Sequence, residues 1–212
     1  MSRGDEPTRE RILAATRALL EEQPGAGPSM GQIAQRAGIS RQAVYLHFTD
    51  RAQLLVELTR AVDAAARTPD LQRLVDDAPT ARAALAQSVA LQARLKPKLH
   101  GVATALDALR RSDPDAEAAW HERDRARLAR CEQVVSRLAA EDELAPAWRI
   151  PDAARLMWAV TSQRVWEDLV LHEGWSSQRY TSHLLRLLER SLLRDAGASV
   201  PGGPPPWTAH EV

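Results

Sequence analysis

Apolar residues recur at helical spacing along almost the whole chain. Ile12, Ala15 and Leu19, flanked by Leu13 and Leu20, mark a first amphipathic helix over about 8–22. The segment QPGAGPS breaks it and ends on Ser29, a good N-cap for a second helix over about 30–37. Gly38 stands where that helix must close in a left-handed residue, and Ser40 caps a third helix beginning at Arg41. Asp50 caps a fourth, which Leu54, Leu55 and Leu58 carry to about Arg67, where Thr-Pro-Asp interrupts it. Further amphipathic stretches follow at about 81–95, 100–111, 114–141, 151–173 and 176–194. Pro97 is expected to end or kink one helix, Pro114 suits the first turn of the next, and Gly174 separates the last two. The expectation is about nine helices.

Composition agrees with an all-α fold. Alanine and aliphatic residues dominate, aromatic residues are 4%, and runs of strand-favouring residues are almost absent. A single cysteine, Cys131, excludes an internal disulfide. No stretch reaches the length of an apolar membrane span, and MSRGDEPTRERIL lacks the apolar core of a signal peptide, so no membrane association and a cytoplasmic location are expected. Basic and acidic residues balance at 28 each, and residues 1–60 hold eight Arg against seven Asp and Glu. That balance disfavours a protein that coats nucleic acid non-specifically but leaves room for a dimer with a few placed phosphate contacts. From residue 196 the Pro- and Gly-rich tail, which contains Trp207, has little to bury and is expected to be disordered.

The segment Ser29 to Leu54 carries the chemistry. Ile33, Ala34 and Ala37 can face Ile39, Val44 and Phe48 across the turn at Gly38, the arrangement of a helix-turn-helix. Its second helix would present Arg41, Gln42 and Tyr45 outward, with Ser40 and Ala43 beside them near the N-terminus, the part of this motif that enters the major groove. Solvated polar positions are the plain alternative for such residues, but their place on a capped helix of this motif favours DNA contact. Ser29 is a cap first, and the helix it caps can also face a phosphate.

The helix TRERILAATRALL, a gap, and then IAQRAGISRQAVYLHFTDRAQLL resemble the DNA-binding domain of the tetracycline-repressor (TetR) family over residues 8–60. Tyr45, His47 and Phe48 match its Tyr-x-His-Phe stretch, and Arg51 stands where Lys is more usual. The resemblance implies phosphate contacts by Tyr45, His47 and Arg51 and base reading by the start of the third helix. Trp158 to Leu193 is similar to the last two helices of many members, which pair with the same two helices of a second subunit. The local pattern fits: Leu156 to Val160 is apolar all round, and the last helix carries a wide leucine stripe that includes Leu184, Leu188 and Leu192, the expected dimer interface.

The family also implies a ligand cavity in the body, without naming its walls. Trp120, Trp158 and Trp166 are candidate lining, although aromatic residues in a helical body are more often core; His100, Thr104, Ser162 and Gln163 are candidate polar groups. The expected effector is small and largely apolar. The charged run from His121 to Arg130 reads as a solvated helix face, although i,i+4 partners are not evident in it. His and Cys spacings give no metal site, no phosphate loop or nucleophile elbow is present, and no cofactor or enzymatic activity is expected. The domains expected are a helix-turn-helix domain (1–60), a helical ligand-binding and dimerisation domain (61–195) and the tail (196–212). The resemblance implies a homodimeric repressor released by its ligand from a palindromic double-stranded operator. A constitutive regulator with a filled core, or an all-α enzyme or lipid carrier with a packed N-terminal unit, remain rivals at this point.

Overall fold

The computed structural model describes residues 5–23 and 25–194. The expected disordered tail, with Trp207, lies outside the described residues. Among those described, the elements are α-helical apart from one π turn and an isolated bridge between Leu144 and Leu193. The N-terminal unit consists of α1 (Asp5–Glu22), α2 (Met30–Ala37), α3 (Arg41–His47) and the first part of α4 (Arg51–Ala65). The body holds α5 (Thr68–Asp76), α6 (Ala81–Leu109), α7 (Pro114–Ala140), α8 (Ile150–Val160), a short α9 (Gln163–Trp166) running into a π turn (Glu167–His172), and α10 (Ser177–Leu192). With α8 and α9 taken as one interrupted helix, nine helices are described. The total matches expectation because one omission and one false division cancel.

The omission is α5. Thr-Pro-Asp starts this helix rather than interrupting one: Arg67 breaks α4 in a left-handed conformation, and Pro69 falls in the first turn of α5, where its missing N–H costs nothing. The false division is at Pro97. The helix runs through it because Pro97 is exposed while Leu91, Leu95, Leu99, Val102 and Leu106 keep one continuous face in the core. Packing on both sides of the proline outweighs the lost hydrogen bond.

The interruption between α8 and α9 is local chemistry. The Thr161 hydroxyl donates to the Met157 carbonyl at 2.7 Å, and the Ser162 side chain accepts the Val165 N–H at 3.3 Å as a fresh N-cap. α4 continues beyond the expected domain boundary at residue 60 and packs against α7, so one helix belongs to both units.

α10 corrects the expected interface. Tyr180, Leu184, Leu188 and Leu192, spaced four residues apart, are at most 4% exposed within this one chain. Leu184, Leu188 and Leu192 therefore fill the chain's own core and are unavailable to a partner. A leucine stripe looks the same in sequence whether it meets its own body or another's. The exposed apolar side chains nearby are Leu187 and Leu171.

Cys131 is buried on α7, and burial raises its thiol pKa to about 11. A thiol-reactive dye at neutral pH is thus expected to label the native protein far more slowly than the denatured one. Equal rates would contradict this packing.

Candidate functional site

α2 and α3 are fixed by their ends. The Ser29 hydroxyl accepts the Gln32 N–H while the Gln32 side chain accepts the Ser29 N–H at 2.8 Å, a reciprocal capping box. Gly38 closes α2 at φ 68°, where its N–H reaches back to helix carbonyls; a side chain there would be strained. The Ser40 hydroxyl then accepts the Ala43 N–H at 3.1 Å and starts α3. Val44 and Phe48 lock α3 onto Ile33 and Ala34 in the core.

With that face buried, the rest of α3 must point outward. Arg41, Gln42 and Tyr45 are exposed, and Arg41 donates to the Tyr45 hydroxyl at 3.2 Å. Ala43 and His47 are half-buried beside them, and Ser29 and Ser40 are exposed at the helix starts. Sequence reasoning missed Leu46, which is 82% exposed at the position four residues after Gln42. Its signal was a leucine on the polar side of a short helix.

Arg51 departs from expectation. It turns inward: its Nε donates to the Pro28 carbonyl at 2.8 Å, and its Nη1 pairs with Asp113 at 2.8 Å and Asp115 at 3.1 Å. Burial works against the charge on Arg51, yet the two carboxylates raise its pKa; Asp113 is lowered, against burial, by Arg51 and by the backbone N–H groups of Ala116 and Asp115 that it caps. Gly27 lies against this cluster, where a β-carbon would collide with the guanidinium and the Asp113 carboxylate. Arg51 therefore ties the start of α4 to the start of α7. A second tie follows two turns on, where Arg60 on α4 pairs with Glu122 on α7.

A cavity of about 460 Å³ lies in the body among α6, α7 and the α8–α9 segment, within the size range of small-molecule sites. Thr104, Trp120, Trp158, Ser162 and Gln163 line it. His100 and Trp166 do not. His100 sits behind the wall, within hydrogen-bond distance of Thr104 and of Gln163 (3.2 Å each), and Trp166 is buried against the His100 ring.

The lining is far more charged than a largely apolar effector would call for. Lys96 and Asp107 come from α6 and Arg110 from its C-cap, Arg123, Asp124 and Arg127 from α7, and Arg164 and Glu167 from α9 and the π turn. Arg110 lies over the Trp120 ring at 5.0 Å and Arg127 over the Trp158 ring at 4.7 Å. The run His121 to Arg130 is a solvated face only in part: His121, Arg125, Ala126 and Ala129 are exposed, while Arg123, Asp124 and Arg127 line the cavity with Trp120. Their helical spacing with Trp120 was the available sign. Lys96 was hidden in an apolar stretch.

The α7 helix carries both cavity residues and the partners of Arg51 and Arg60, so any shift of α7 acts on α4. No helix among the described residues is long and apolar enough to cross a membrane, and no group of three His, Cys, Asp or Glu among them could hold a metal ion.

Comparison with known proteins places this geometry. The family model for bacterial regulatory proteins of the tetR family matches residues 12–58. The HTH-type transcriptional regulator AcrR of Shigella flexneri is 39% identical over 51 residues, which is 24% of this chain and 24% of that protein's length. Among solved structures, NalD of Pseudomonas aeruginosa, the secondary repressor of the MexAB-OprM multidrug efflux pump, superposes with a TM-score of 0.71 at 27% identity over 92% of this chain and 100% of that one. The transcriptional regulator FadR of Bacillus subtilis, solved with stearoyl-CoA, shares the fold at 16% identity, with a TM-score of 0.68 over 84% of this chain and 96% of that one.

Proposed function

We propose that the chain, whose residues 12–58 match the tetR family of bacterial regulatory proteins, is a helix-turn-helix DNA-binding regulator of transcription that works as a homodimeric repressor released from a palindromic operator by a small-molecule effector. It acts by binding rather than by catalysis, in the cytoplasm, where its DNA lies. The observation that carries the reading is the exposed row Arg41, Gln42, Tyr45 and Leu46 on a helix capped at Ser40 and anchored by Val44 and Phe48. A packed structural unit has no use for such a row.

In this reading Arg41 and Gln42 meet base edges, Arg with guanine and Gln with adenine, and Leu46 meets a thymine methyl. Ser40 and Ala43 border the same groove. Tyr45, His47 and the α2 N-terminus behind Ser29 meet phosphates. Two copies join through α8–α10, with Leu187 and Leu171 at the contact. The cavity supports release, as does FadR with its bound stearoyl-CoA on the same fold. An effector that tightens or spreads the cavity moves α7, and through Arg51 and Arg60 the tilt of α4 and α3; its effect on DNA equals its differential affinity for the two arrangements.

The test is operator binding by Arg41→Ala, Gln42→Ala and His47→Ala across single-base operator variants and several salt concentrations. Arg41→Ala and Gln42→Ala should each relax preference at particular positions by about 1–3 kcal/mol. His47→Ala should weaken all sequences alike and lower the salt slope by about one unit per half-site. Unchanged base preference in both of the first two variants would overturn the docking of α3.

A further inference from the structure

The charges that line the cavity are unbalanced, and its most buried ones are cations. Lys96 on α6 is 3% exposed, opens onto the cavity, and makes no hydrogen bond or ion pair with any described residue. Few groups are tolerated less in a protein interior than an unpaired ammonium. Burial, and then the neighbouring Arg127 and Arg123, push its pKa well below the ordinary lysine value, with Asp124 the nearby acid acting in the opposite sense.

Arg123 also lines the cavity without a hydrogen bond or ion pair to a described side chain. Arg127, 8% exposed, is held from behind: its Nη1 donates to the Trp158 carbonyl at 2.8 Å, and its nearest acid is Asp124 at 3.7 Å. The indole N–H of Trp158, whose side chain lines the cavity, is buried with no acceptor. Lys96 and Arg123 thus reach this space without a hydrogen-bonded or ion-paired acceptor, although Asp107, Asp124, Glu167 and the unpartnered Oε1 of Gln163 belong to the same lining. The Trp120 and Trp158 rings supply flat apolar wall beside them.

We propose that the cavity receives a small organic anion with a flat apolar body, its acid group drawn to Lys96 and Arg123 and its body laid against Trp120 and Trp158. This rests on the effector-release reading above and replaces its expectation of a largely apolar effector. Such a ligand supplies what the protein lacks at that point, a buried negative charge with lone pairs for several donors. It also explains why a lysine stands where methionine or leucine would pack: the unliganded body is left strained electrostatically, so that the liganded arrangement differs from it in energy. A neutral or cationic compound of the same shape would leave the donors unpaired or add to the repulsion.

The test compares two probes that differ only in the acid group, anilinonaphthalene sulfonate and its uncharged parent N-phenylnaphthylamine, by calorimetric titration of the full chain. The sulfonate is expected to bind once per chain and about tenfold or more tighter than the parent, the equivalent of one charge-assisted contact. Lys96→Met should remove that preference while leaving the parent's binding unchanged or tighter, and Arg123→Gln should reduce it, a second variant in case the first folds poorly. Equal or tighter binding of the uncharged probe to the wild type would overturn the anion proposal and leave effector binding standing. Binding of neither probe to a protein that still binds its operator would overturn the cavity as an effector site, and the anion proposal with it.

Discussion

Leu188→Arg is expected to unfold the protein, whereas Leu187→Arg, one residue away, is expected to leave the fold intact and yield a monomer. Leu188 is fully buried in the chain's own core, while Leu187 is 49% exposed on the same helix. Placing a guanidinium at Leu188 removes a packed leucine and buries an unpaired charge, a loss of about 3–5 kcal/mol or more. A loss of that size is comparable with the lower end of the stability of an ordinary domain, about 5–15 kcal/mol. At Leu187 the same charge meets solvent in the monomer and a second copy's apolar surface in the proposed dimer, so the cost falls on association. Circular dichroism melts and sedimentation of both variants separate the two effects. A folded Leu188→Arg would contradict the packing of α10, and a fully dimeric Leu187→Arg would move the proposed interface elsewhere.

The second large effect is at Arg51. Its side chain and that of Asp113 are each less than one-fifth exposed, and removal of the guanidinium leaves the Asp113 and Asp115 carboxylates close together without their shared cation. With allowance for the partial exposure of Asp115, Arg51→Ala should cost about 1–3 kcal/mol. Because its folded pKa is depressed, Asp113 contributes stability that is present above the ordinary aspartate pKa and lost as pH falls through the lowered one. Arg51→Ala should therefore flatten the acid limb of the stability profile. A double-mutant cycle with Asp113→Asn is expected to show coupling between the two positions. The slope of operator affinity against salt should stay at the wild-type value, whereas a phosphate contact would lower it by about one unit per half-site. A reduced slope with no coupling to Asp113 would restore Arg51 to the DNA surface and remove the tie between α4 and α7.

What the sequence made legible was local. Ser29, Gly38, Ser40 and Asp50 set the ends of α2, α3 and α4 through contacts within a few residues, so the reading of a helix-turn-helix followed from local spacing. What it obscured was tertiary. The fate of Arg51 depends on Asp113 and Asp115, sixty residues away. Pro97 is tolerated because of what packs on either side of it, and Pro69 begins a helix because Arg67 has already broken the previous one. The stripe of Leu184, Leu188 and Leu192 has the right period for either of two partners, and period cannot choose between them.

The cavity was half legible. Trp120, Trp158 and the polar residues at the α8–α9 break were found because large aromatic and small polar side chains stand out in an Ala-Leu background. Lys96, Arg123 and Arg127 were passed over because a charge on an amphipathic helix is ordinarily solvated. Their spacing at Trp120, Arg123, Asp124 and Arg127 was as regular as that of any apolar stripe. The signal was the helical spacing that Arg123, Asp124 and Arg127 share with Trp120.

The measurement that bears most directly on the central claim is selection of bound duplexes from a random-sequence library by the purified full chain, followed by sequencing of the recovered pool. Two copies of α3 related by a dyad require two half-sites related by the same symmetry, spaced about one helical turn or a little more. The expected pool is a single palindromic motif, and the pool selected by Arg41→Ala should lose preference at matching positions of both half-sites. Recovery of no enriched sequence, or of a motif without two-fold symmetry that Arg41→Ala leaves unchanged, would contradict the account.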